Sequence, residues 1–98
     1  MPPQKQRIMK TIYLVEAMRC NKDWTPDWIT YQQAFSDKKK AYKKAKEYSD
    51  TERRIFRLYG KVSMIWHSIL KEYLVYNLNT NGLRASVKIK EIKYDDGE

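Results

Sequence analysis

The sequence holds one cysteine, one histidine, three glycines and three prolines in 98 residues. A lone cysteine closes no intramolecular disulfide and builds no multi-cysteine zinc site. Three glycines supply little material for a phosphate-cradling loop, and no G-x-G-x-x-G, Walker or H-E-x-x-H pattern occurs. Long apolar runs are missing as well. The longest spans only a few residues, against roughly 18–20 for a membrane-crossing helix. Residues 1–8 lead into no secretory-type apolar stretch, because Glu16, Arg19 and Lys22 come too soon. These absences point to a cytoplasmic, reducing setting and away from a membrane.

What is abundant is positive charge and aromatic surface. Twenty Lys and Arg stand against twelve Asp and Glu, a formal net charge of +8. Apolar residues make up 42%, an ordinary globular share, so the chain folds around a core. The length suits one domain. Residues 1–8 read as a flexible N-terminal extension, with a second start at Met9. Residues 9–94 read as a single α+β domain, and 95–98 as an acidic tail.

Residues 10–19 (KTIYLVEAMR) read as a strand covered in part on both faces and so central in its sheet. Residues 20–27 form a polar loop. In 28–35, Ile29, Tyr31 and Phe35 alternate with polar or small residues, which predicts a strand antiparallel to 10–19. Ser36 is the expected N-cap of a helix over 37–48. Ser49-Asp50-Thr51-Glu52 matches a capping box. Beyond it Ile55, Tyr59, Val62, Trp66, Ile69 and Tyr73 recur at steps of four and three. That spacing predicts a long amphipathic helix over about 51–75, with Phe56, Tyr59, Trp66 and Tyr73 facing the core. Residues 73–78 also read as a strand, turning through Asn79–Gly82 into a final strand over 83–94. The apolar phase of that last strand slips near Lys90–Glu91, as at a bulge or an exchange of faces.

The expected fold is therefore α+β. A three-stranded antiparallel sheet, in the order strand, strand, helix, long helix, strand, carries both helices on one face. A hairpin over 73–94 is the alternative and gives a four-stranded sheet.

Two surfaces are candidates for function. Lys39, Lys43, Lys46, Arg53, Arg57 and Lys61 lie on the outer arcs of the two expected helices, where cations neutralise phosphates. Trp24 and Trp28 flank the loop around Pro26 and are candidate protein contacts. The stripe of the long helix also allows a homodimer. Cys20 and His67 lie on different elements, so no catalytic pair is expected. The chain reads as a non-catalytic module without metal or cofactor.

The order IYLVEAM, AFSDKKKAYKKAKEY, SVKIKEIKYD resembles a loose group of small uncharacterised phage and mobile-element proteins. The likeness rests on Phe35-Ser36, Ala41 and Ile89–Asp95, about half the chain. It implies a compact α+β accessory protein and brings no catalytic residues. The expected function is a protein-binding accessory or inhibitor-type factor. The alternative is a basic nucleic-acid-binding protein that uses the Lys and Arg faces of the helices.

Overall fold

Ile12–Val15 are β-branched, aromatic or bulky side chains that favour extended backbone, and they lie in the first strand, β1 (Met9–Cys20). In the computed structural model, which describes residues 9–20, 26–79 and 82–95, β2 (Pro26–Phe35) follows and α1 (Lys38–Arg57) comes next. Then come β3 (Val62–His67), β4 (Glu72–Asn77) and β5 (Gly82–Asp95). The strands form one antiparallel sheet in the order β2-β1-β5-β4-β3. The expected extension over 1–8 and the tail residues 96–98 lie outside the described residues.

This corrects the expectation of three strands and two helices. Among the described residues there is one helix and there are five strands; the four-stranded alternative comes closer and misses β3. Ser49–Glu52 is not a helix start. It lies inside α1, where the Ser49 hydroxyl donates to the Ala45 carbonyl at 2.6 Å. The cap is Asp37, one residue after the expected Ser36, and its carboxylate accepts from the Lys39 amide at 2.9 Å. Residues 62–77 are a hairpin. The four-and-three spacing there is crossed by a plain alternation that places Val62, Met64 and Trp66 on one face. Tyr59 and Ile69, expected in the core, are 81% and 84% exposed. No register shift occurs near Lys90–Glu91, since β1 and β5 pair without interruption from Met9↔Asp95 to Arg19↔Ala85. The apolar residues change face there because β2 and β4 no longer flank the ribbon beyond Tyr13 and Lys88.

The helix is long for a topological reason. It leaves one edge strand and must reach the other, and it touches every strand on the way. Four strand gaps of ~4.8 Å span roughly 19 Å. Twenty residues at ~1.5 Å rise give about 30 Å, enough to cross obliquely. Its inner line is small: Ala41, Ala45 and Ser49 are fully buried, so the helix sits close to the sheet. Beneath it a row runs Tyr31–Ala17–Val87–Tyr73–Trp66 across all five strands. Val15, Val75, Val87 and Ile89 complete the packing, each burial contributing about 1.5–3 kcal/mol.

Among the described residues, no helix covers the other sheet face. One row on it, Ile29–Met18–Ser86–Leu74–Ile65, is apolar except for Ser86 at its centre. The neighbouring row is Gln32–Glu16–Lys88–Glu72–His67, in which acids alternate with a lysine. Glu16 there accepts from Gln32 Nε2 at 2.9 Å and from Lys90 Nζ at 3.3 Å. Among the described residues, no helix is long and apolar enough to cross a membrane.

Candidate anion-binding face

One continuous helix changes the geometry of the basic residues. Lys39, Lys43, Lys46, Arg53 and Arg57 are separated by four, three, seven and four residues. At ~100° per residue these steps return to one side of α1, over about 27 Å of helix. Lys39, Lys43, Lys46 and Arg57 are exposed, and Arg53 is partly buried. The gap in the row is filled by Asp50, whose carboxylate lies 3.7 Å from Arg53. No carboxylate pairs with Lys39, Lys43, Lys46, Arg57 or Lys61 among the described residues.

The ends of the helix add to this field. Lys38, Lys39 and Lys40 fill the first turn, which contains no acid. Cations are unfavourable beside the positive end of a helix dipole, by about 0.3–1 kcal/mol each. The Asp37 carboxylate at the N-cap offsets part of that cost. Lys38 and Lys44 lie over the rings of Tyr42 and Tyr31 at 5.7 and 5.5 Å, so both of these lysines rest on aromatic faces.

At the other end Lys61 follows the helix and closes a cleft of about 550 Å³. Arg53, Arg57, Gly60, Lys61, Val62, Leu78 and Asn79 line it. The six basic residues singled out in the sequence therefore form one surface, from the first turn of α1 to this cleft. Lys40 and Arg54 on the outer side of the helix and Arg84 on β5 were not singled out. Arg54 could have been found by running one helical period through Ser49–Glu52; Lys40 already lay within the helix expected over 37–48.

The candidate protein contacts are not brought together. Trp24 lies outside the described residues. Trp28 is 48% exposed on β2 and pairs in register with Arg19. The long helix expected to accompany them does not form.

Cys20 and His67 are likewise apart. They lie on β1 and β3 with β5 and β4 between, roughly 14 Å of sheet. Burial raises the Cys20 thiol above its ordinary range, with Arg84 pulling weakly the other way, so it is a poor nucleophile at neutral pH. His67 Nδ1 accepts from the Leu70 amide at 3.1 Å and helps to fix the β3–β4 turn. No cluster of three or more His, Cys, Asp and Glu suited to a metal occurs among the described residues. No protein-family model, curated protein or solved structure matches the chain.

Proposed function

We propose that the protein is a small nucleic-acid-binding module that holds phosphate backbones against the outer face of α1. The observation that carries this reading is the single line of Lys39, Lys43, Lys46, Arg53 and Arg57, continued by Lys61. Each cation that neutralises a phosphate releases a condensed counterion, and that release supplies affinity independent of sequence. The lysine-filled first turn supports the reading, because it adds three cations to the same field. Lysine predominates in the first half of the helix, so the contact is by point charge and not by bidentate base readout. The work is binding and not catalysis. It belongs inside the cell, where a lone cysteine stays reduced.

The test is fluorescence anisotropy with a labelled nucleic acid, titrated with salt. Log affinity is expected to fall linearly with log salt. The triple variant Lys39→Glu/Lys43→Glu/Lys46→Glu is expected to bind weakly and to lose about one unit of slope per contact removed. These side chains are exposed, so the variant keeps its fold. Lys93→Glu, on the β1–β5 ribbon away from the helix, serves as the control. Absence of binding at low salt, or affinity that ignores salt, sinks the reading.

A second reading, a protein-binding accessory factor of the kind the phage-like pattern implies, rests on the uncovered sheet face. There Ile29 and Ile65 are 50% and 47% exposed at the two ends of one largely apolar row. A second copy of the chain is one candidate occupant. Ile65→Lys is expected to abolish such an association in sedimentation and to leave nucleic-acid binding intact.

A further inference from the structure

The turn that joins α1 to β3 separates two clefts that share Val62. One is the cationic cleft around Arg53, Arg57 and Lys61. The other, of about 250 Å³, is lined by Phe56, Tyr59, Val62, Asn77 and Arg84. That is below the roughly 300–1,000 Å³ of a drug-sized site, so it has room for a single ring system. Tyr59 lines the second cleft and precedes Gly60 of the first; it is 81% exposed and packs against no other ring among the described residues.

We infer that this end of the helix selects single-stranded over duplex nucleic acid. The inference rests on the phosphate-binding reading above and names the substrate class of that site. A duplex presents phosphates and keeps its base faces stacked inside. The lysine half of α1 cannot tell the two apart, because it offers only point charges. The α1–β3 end offers more. Arg57 and Lys61 hold a phosphate in the first cleft, and the adjoining base lies in the second, against Tyr59 and Phe56. Arg84 supplies guanidinium donors at the edge of that base. Aromatic stacking tolerates any sequence, since every base has a π-face. An exposed tyrosine next to paired cationic and aromatic clefts is the arrangement that single strands require and duplexes cannot use.

The experiment compares three labelled probes of roughly 12 nucleotides, a length within the usual site sizes. They are single-stranded DNA, single-stranded RNA and the DNA duplex of the same sequence, all at one salt concentration. At least one single strand is expected to bind about tenfold more tightly than the duplex. Tyr59→Ala is expected to weaken single-strand binding by about tenfold, the size of one lost stack, and to leave duplex binding and the salt slope unchanged. Tyr59→Phe is expected to retain binding. The tyrosine is too exposed for either change to disturb the fold. A duplex that binds as well as both single strands overturns the inference and leaves the phosphate-binding reading standing. So does a Tyr59→Ala variant that weakens all probes equally or none. Failure of every probe at low salt overturns both.

Discussion

Glu52 and Arg19 show what a single ion pair does for this fold. Glu52 is only 3% exposed, and Arg19 reaches it from β1 with both Nε and Nη2, at 2.9 and 3.0 Å. The guanidinium also lies 5.4 Å from the Phe56 ring centroid. Hydrogen bonding by Glu52 raises the Arg19 pKa, against desolvation that lowers it. The pair locks the C-terminal half of α1 onto the sheet and so aims the basic row outward. The two partners differ in exposure, and this sets unequal costs. Arg19→Met strands a buried carboxylate and is expected to cost about 3 kcal/mol. Glu52→Gln leaves an arginine whose side chain is 31% exposed and reaches water, and is expected to cost about 1 kcal/mol. Urea denaturation of both variants checks the order; equal costs would show that Glu52 finds another partner. Nothing in the sequence marked this pair. Glu52 fits a capping box as well as it fits a buried acid, and only the third dimension chooses.

Among the elements, β1, β2 and β5 were legible because their side chains alternate or run apolar in ways a helix does not favour. Residue Gly60 is where legibility failed. It lies in the middle of the expected helix over 51–75, yet glycine there costs about 1 kcal/mol relative to alanine. It also follows Arg54 and Arg57, the basic last turn that marks a helix end. In the structure Gly60 has φ +151°, a conformation that side-chain-bearing residues rarely adopt. The following hairpin was hidden because its turn, Ser68-Ile69-Leu70-Lys71, lacks glycine, proline, asparagine and aspartate. Lys71 takes φ +54° without the help of such a residue. A Cβ at Gly60 meets only the Asn77 and Asn79 side-chain amides, at 3.7 and 3.8 Å, so space is not the constraint. Gly60→Ala is therefore expected to cost about 1–3 kcal/mol through backbone strain alone. Thermal unfolding measures it. A cost near zero would mean that the turn relaxes, and single-strand preference should then be lost as the two clefts shift.

At the scale of the molecule, the stability of the sheet is tied to high pH in a direction that can be stated in advance. Burial raises the Cys20 thiol, and it raises the phenols of Tyr31 and Tyr73, helped by Tyr48 and Asp50 respectively. Tyr31 stacks on Tyr48 at 4.8 Å and Tyr73 packs against Trp66 at 4.7 Å, so both phenols belong to the layer between helix and sheet. All three groups are neutral when protonated and lie higher in the folded chain than their ordinary values of 9.0 for the thiol and 10.0 for the phenols. Below those values both states hold the protons and stability does not depend on them. Above them the unfolded chain releases protons first, so folding loses ground as pH rises toward the folded values. The urea midpoint is expected to stay level up to about pH 8.5 and to fall through about pH 11. Tyr31→Phe is expected to remove part of that decline, and Cys20→Ala its earliest part. A midpoint that stays flat across the alkaline range would mean that these groups titrate in the folded chain as they do in water. The aromatic layer under α1 would then be wetter than its packing indicates, and the helix that carries the basic row less firmly held.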